Sequence, residues 1–260
     1  MSTAFHLLKR IGLSNQRAIE ILPRMQARTY AFAEDIGRDQ TGYWTYIVDG
    51  LVGASVSGDG LAPINIHGPG VWFGEGNLFT ENGFQLDYTC LTVTTTLRMP
   101  IADARNAFDH EVGFARYVAR LFALRSQQQT EMLALMRIGG PTLRIVIGLG
   151  LFAEAFKGSP SRAPSGIINR QEQDTLIIPV KQAVLASMCG VSRGVFSHHL
   201  QELAAAGCLS MNYSSLALLR VQVWVRFCNT YRQVRLGPNK PDLKQVLSMM
   251  LEEQANAQAA

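Results

Sequence analysis

Lys181-Gln-Ala-Val-Leu-Ala-Ser-Met-Cys-Gly190, Val191-Ser-Arg-Gly-Val-Phe-Ser-His-His-Leu200 and Gln201-Glu-Leu-Ala-Ala-Ala-Gly207 form one continuous stretch whose reading decides the fold. Val180 to Met188 is a short helical run, and Cys189-Gly190-Val191 is a tight turn with a glycine free to take a positive φ. Ser192 suits the N-cap of a second helix that runs to Ala206 and is closed by Gly207. In that helix Phe196, Leu200 and Leu203 share one face at i, i+4, i+7. Gly194, Ser197, His198 and Gln201 fall on the other side, with Arg193 at the flank. Leu209 to Tyr213, Ser214-Ser215 and Leu216 to Leu219 then read as a hairpin. Helix, glycine turn, capped helix and hairpin make a winged helix-turn-helix. Its apolar face holds the second helix to its neighbour, and its outer face offers short or hydrogen-bonding side chains to base edges. The candidate DNA-binding residues are Lys181, Gln182, Ser192, Arg193, Gly194, Ser197, His198 and Gln201. A helical hairpin used only for packing is the alternative reading. His198 and His199 are neighbours on a helix and diverge, so they do not suggest a shared metal ion.

Upstream of this stretch the pattern changes twice. Tyr30 to Met99 reads as β structure. Trp44 to Val48 and Leu51 to Val56 flank Asp49-Gly50, Ser57-Gly-Asp-Gly60 is a hairpin signal, and Pro63 to His67 alternates after it. Gly68-Pro69-Gly70 makes the next break, and Tyr88 to Met99 alternates threonine with apolar residues. Several short strands with regular turns indicate a small barrel or roll. From about Ile101 the period becomes helical. Phe114, Val118, Leu121, Arg125, Gln128, Met132 and Leu135 follow alternating four- and three-residue spacings, a heptad seam for a homodimer. An amphipathic helix packed on its own domain gives the same spacing, and the sequence leaves both readings open. Gly139-Gly140-Pro141 ends the helix at about Ile138, and Thr142 to Phe156 forms a further one. The polar loop Gly158 to Gly166 follows. After Gly237-Pro238, Leu243 to Glu253 reads as an added helix.

Composition narrows the function class. The chain has 260 residues, 47% hydrophobic and 17% charged, which describes a globular chain of one large or two ordinary domains. Residues 1–138 carry 12 Lys and Arg against 13 Asp and Glu, and residues 139–260 carry 12 against 7. The C-terminal part, at +5, is therefore the candidate for a polyanionic partner. Ile145 to Phe156, the longest apolar stretch, is too short to span a bilayer, so no membrane association is expected and the cytosol is the expected location. Cys90, Cys189, Cys208 and Cys228 show no paired spacing and read as free thiols packed as small hydrophobes. The five histidines do not converge with carboxylates in the way a hydrolase needs, so no enzymatic activity is expected.

Three segments in this order resemble the cyclic-AMP receptor protein/FNR (CRP/FNR) family of bacterial transcription regulators. Tyr46-Ile-Val-Asp-Gly50 is similar to the family's YIVxG strand and turn, and Phe73-Gly-Glu-Gly-Asn-Leu-Phe79 to its FGExxLF segment. Leu185-Ala-Ser-Met-Cys-Gly-Val-Ser-Arg193 is similar to its LAxxxGVSR. The likeness covers about Arg28 to Leu236. It implies an α+β chain with four parts: a cyclic-nucleotide-binding-like β-roll at 1–110 with short N-terminal helices, a dimerisation helix at 111–138, a winged helix-turn-helix at 139–236 and an extension at 237–260. The implied function is sequence-specific transcription regulation by a homodimer on double-stranded DNA, with RNA polymerase as a partner and an unknown small-molecule effector in the roll. A regulatory ligand-binding module without DNA binding is the alternative.

Departures from the family pattern bear on the effector. Cyclic-nucleotide binders in the family hold the phosphate with an Arg-Ser pair, and here Leu86 and Asp87 stand near its place. No arginine lies between Arg38 and Arg98. A cyclic phosphate beside Asp87 would lack charge-assisted hydrogen bonds, so an effector other than cyclic AMP is expected. The resemblance makes Gly74, Glu75, Gly76, Leu86, Asp87, Arg125, Gln128, Gln129 and Thr130 the effector-site candidates. Gly194 and His198 replace the Glu and second Arg of the family's SRExxxR, so the half-site is expected to differ from the common consensus.

Overall fold

The computed structural model describes residues 3–36, 42–56, 63–79, 86–157, 175–212, 215–233 and 243–258. The hairpin signal at 57–60, the loop at 158–166, Tyr213-Ser214 and Gly237-Pro238 lie outside these residues. The chain forms two compact units, one of residues 1–61 and 65–130, the other of 62–64 and 131–260.

The first unit is the roll with helices on one face. Helices α1 (Thr3–Arg10) and α2 (Asn15–Ile21) lead through a 3-10 turn to β1 (Gln26–Tyr30), β2 (Tyr43–Asp49), β3 (Val52–Val56), β4 (Asn65–His67) and β5 (Trp72–Phe73). The short helix α3 (Gly76–Phe79), then β6 (Leu86–Cys90), β7 (Thr94–Pro100), α4 (Ile101–His110) and the part of α5 (Val112–Ile138) up to Thr130 complete it. Two antiparallel sheets form, ordered β1-β7-β2-β5 and β4-β3-β6. The alternation of β2 explains both cores. Trp44 and Tyr46 point to the helices, where Trp44 stacks on Trp72 and meets Phe114 edge-on. Ile47 points between the sheets to Tyr30, Val52, Phe73, Tyr88 and Cys90.

This arrangement corrects the heptad reading of α5. Phe114 and Val118 are fully buried within one chain, against Trp44, Met99 and the N-terminal helices, and Leu121 packs on the same cluster. Side chains already removed from water in the monomer cannot bury area against a two-fold mate. The helical period was real, but at these turns it serves the roll's own core. Gly12, at φ +90°, and Gly113 bring the N-terminal helices against α5, since a Cβ on either would meet the other's backbone.

The second unit holds α6 (Pro141–Lys157), β8 (Thr175–Ile178), α7 (Gln182–Met188), α8 (Arg193–Ala205), β9 (Leu209–Met211), β10 (Leu216–Leu219), α9 (Val221–Gln233) and α10 (Leu243–Gln258). The expected hairpin is β9 and β10, but β8 pairs with β10 as a third strand, giving the order β8-β10-β9. Helix α6 packs on α8, α9 and α10. A Cβ on Gly148 or Gly150 would lie under 3.0 Å from the sulfur of Cys189 or Cys228, so these glycines let the helices carrying the thiols approach. All four cysteines are buried, and burial pushes the Cys189 thiol up to about 12.

Candidate functional site

The helix-turn-helix is built by local rules. Gly190 takes φ +62° in the turn, and Arg144 of α6 donates to its carbonyl at 2.8 Å. Ser192 caps α8 by accepting from the Val195 amide. Phe196, Leu200 and Leu203 are buried and fix the rotation of the helix. The opposite face therefore turns Gly194, His198, Gln201 and Ala205 to solvent, with Arg193 exposed at the first turn. Gln201 and Arg193 supply donors to this strip. Ser197 is half-buried at its edge. Lys181 is exposed as the residue before α7, and Gln182 is half-buried at that helix's first position. Gly207, at φ +70°, closes α8, and Arg220 holds it by donating to its carbonyl at 2.6 Å.

His198 does not stand free on this face. Its Nε2 lies 3.3 Å from the Glu202 carboxylate one turn on, so a carboxylate shares the edge of the solvent-facing strip. His199 is half-buried beside it, with Nδ1 lacking a partner among the described residues, and burial and then the His198 charge push its pKa down.

The second cluster lies inside the roll. Arg125 reaches from α5 to form an ion pair with Glu75 and to donate to the Trp72 carbonyl. Both side chains are largely buried, and burial lowers the guanidinium pKa to about 10. His67 lies close by, stacked on Phe73, and both rings meet Tyr88 in a three-ring cluster. Burial, and then the Arg125 charge, pull its pKa down to about 3, so the imidazole is neutral at pH 7. Burial also raises the Tyr88 phenol to about 12, partly offset by a hydrogen bond from the Gly74 backbone. Two buried acceptors here, Glu75 Oε2 and Thr45 Oγ1, lack a partner among the described residues.

No protein-family model and no curated protein matches the sequence. Solved structures do. FixK2 from Bradyrhizobium japonicum superposes with a TM-score of 0.60 at 17% identity, over 78% of this chain and 96% of that one. CLP from Xanthomonas campestris, named as a c-di-GMP responsive global regulator, gives 0.57 at 18% identity over 79% and 99%. A CRP/FNR-family transcriptional regulator from Thermus thermophilus gives 0.57 at 16% identity over 82% and 100%. The chain has the CRP/FNR fold.

Within the CRP/FNR fold the effector-site candidates separate. Gly74, at φ +86°, Glu75 and Gly76 form the turn into α3, and Glu75 and Arg125 meet. Leu86 borders the interior core, while Asp87, the next residue along β6, turns to the other face of its sheet. Gln128, Gln129 and Thr130 are exposed, and the Thr130 hydroxyl donates to the Ser126 carbonyl of its own helix. The reading by motif missed His67, Thr45 and Tyr88. Strand alternation was the available signal, because Val52 pairs with both His67 and Cys90 and all three point inward.

Proposed function

We propose that this chain is a sequence-specific DNA-binding transcription regulator that acts as a homodimer and is controlled by a small molecule in its roll. The observation that carries the proposal is the solvent-facing strip of α8, held in place by a buried apolar face, an N-cap and a glycine turn. That strip is what a major groove requires: a rigid helix with exposed donors near its N-terminus. The net charge of +5 over residues 139–260 supplies the sequence-independent attraction to phosphates. Contact with RNA polymerase belongs to the same reading.

The roll interior supports an effector other than cyclic AMP. Two buried cations border the roll: Arg125, committed to Glu75, and Arg98, which donates to the Tyr30 hydroxyl and to Gln26 Oε1. A ligand must either replace Arg125 at Glu75 with its own donors or sit beside the intact pair and supply donors to Glu75 Oε2 and Thr45 Oγ1. Either route favours a molecule with hydroxyl or N–H groups. It also gives the ligand a direct hold on α5.

The homodimer seam belongs on the face of α5 opposite the roll core. Val112, Arg116, Ala119, Ala123, Ser126, Thr130 and Leu133 lie there at heptad spacing and are all exposed. Small residues at the middle of such a seam let two backbones come close. Selection of duplexes from a random DNA library by the purified chain, followed by footprinting, tests the function. An enriched palindrome with half-sites about one helical turn apart is expected. Absence of any enriched sequence, with and without small-molecule cell extract, would overturn the proposal.

A further inference from the structure

Of the four buried thiols, three have a hydrogen-bond partner. The Cys208 and Cys228 thiols each donate at 3.9 Å, to the Ala206 and Ile147 carbonyls, and a hydrogen bond links Cys90 to the Thr94 side chain. Cys189 is the exception. It is 3% exposed, and its thiol lacks a hydrogen-bond partner among the described residues. Its sulfur lies over the bare face of Gly148, where a Cβ would come within 2.8 Å of it. There Cys189 lines a cavity of about 10 Å³, and the same wall holds Met132 of α5 and Met188 at the end of α7. The remaining wall is apolar, with Leu149, Phe152 and Leu185 in it. All of these residues belong to the second unit, apart from the buried cluster of the roll. Three sulfur-bearing residues thus border a space the size of one small guest. Water has little claim on it, because a buried water needs two to four polar partners.

We propose that Cys189, Met132 and Met188 form a binding site for a single soft monovalent metal ion of the Cu(I) type. Thiolate and thioether ligands select soft metals, whereas Mg²⁺ and Ca²⁺ require oxygen ligands that no side chain of this wall offers. Structural Zn²⁺ takes four Cys, His or carboxylate ligands, and the wall has one. Charge makes the same choice. One thiolate cancels one positive charge and leaves the filled site neutral, while a divalent ion would bury an uncompensated charge. Arg144 favours the thiolate: it donates to the adjoining Gly190 carbonyl at 2.8 Å, its buried Nε lacks a partner among the described residues, and its charge draws the Cys189 thiol toward ionisation. In the binding step the S–H bond breaks, the proton leaves to solvent, and a sulfur–metal bond forms with no change of oxidation state. Burial holds the free thiol at about 12, so at pH 7 each ion bound releases one proton. The bound ion joins the last turns of α5 to the turn that precedes α8.

The test uses the full chain, reduced and free of oxygen, in competition with a colorimetric Cu(I) chelator. Wild type should withhold one equivalent of Cu(I) more than Cys189→Ala does, and a weakly buffered solution at pH 7 should gain one proton per ion of that equivalent. Met132→Leu and Met188→Leu keep the volume and remove the sulfur. Each should weaken Cu(I) binding about tenfold or more, no less than the loss of an outer-shell partner costs a metal site. Cys208→Ala and Cys228→Ala should leave the equivalent in place. A Cys189→Ala variant with the full Cu(I) capacity of wild type would overturn the site, as would two methionine variants that bind as wild type does. Zn²⁺ held as tightly as Cu(I) would overturn the choice of a monovalent ion.

Discussion

Arg125→Met is the most informative single change in the roll. It removes the guanidinium from a pair whose side chains are only 15% and 11% exposed, and it leaves the Glu75 carboxylate buried with neither oxygen partnered by Arg125. Removing one partner of such a pair costs about 3–5 kcal/mol, because the remaining charge keeps its desolvation penalty. Urea unfolding at pH 7 should show a loss of that size. The deficit should shrink as pH is lowered toward 5, because a carboxyl stripped of its cation takes up a proton and ceases to be a buried charge. Arg125→Met combined with Glu75→Met should recover most of the loss, since a buried ion pair replaced by apolar groups of similar volume is often neutral or stabilising. The coupling between the two positions is then read from the double-mutant cycle. An Arg125→Met variant as stable as wild type, or a double variant no more stable than the single, would refute the assignment of Glu75 as the buried partner of α5.

Four other outcomes follow from the geometry. His67 is held at about 3 against an ordinary value of 6.5, so the unfolded chain binds the extra proton between those values and stability rises with pH there. The contribution is complete above 6.5, and by pH 5 about 2 kcal/mol of it should be lost; His67→Phe should flatten that part of a pH-stability profile, and an unchanged slope would contradict the burial of the imidazole. Ala123→Glu should yield monomers by sedimentation and abolish binding to a two-half-site operator, whereas Phe114→Ala should cost about 3–5 kcal/mol of stability and leave the dimer intact. Arg193→Ala should cost about 1–3 kcal/mol on the selected duplex and relax preference at one base pair per half-site in a gel shift. Lys181→Ala should weaken all sequences alike and reduce the salt slope by about one.

The helix-turn-helix was legible because every cue in it is local. Ser192 caps, Gly190 turns, and the spacing of Phe196, Leu200 and Leu203 fixes the buried face within a single helix. The wing hairpin was legible for the same reason, but its third strand was not. Thr175–Ile178 pairs with β10 across a long stretch of chain, and nothing in those four residues says which strand they join. Helix α9 also escaped notice, although Trp224, Phe227 and Cys228 are buried beneath it against α6. In the roll, motif matching found Glu75 through the Gly-Glu segment but passed over His67. Only the register of β3 against β4 turns that histidine inward beside Phe73.

Helix α5 shows why a period alone does not name a partner. A heptad and an amphipathic helix repeat almost alike over three turns, and the difference lies in what covers the stripe. Trp44, Met99 and the N-terminal helices cover Phe114 and Val118, and Glu75 and the Trp72 carbonyl take Arg125. Of the two polar residues that interrupt the stripe, Gln128 is exposed and Arg125 reaches into the roll, so the interruption at Arg125 carries more information than the stripe. The proposed seam then falls on the opposite face, with Ala119 and Ala123 within two turns of Arg125 along the same helix. A ligand that takes Glu75 from Arg125 frees a cation on one face of the helix at the level where the other face meets its mate. It needs no distant relay. The free energy it supplies is its differential affinity for the paired and unpaired states of Glu75, and that difference alone sets how far it can shift the dimer.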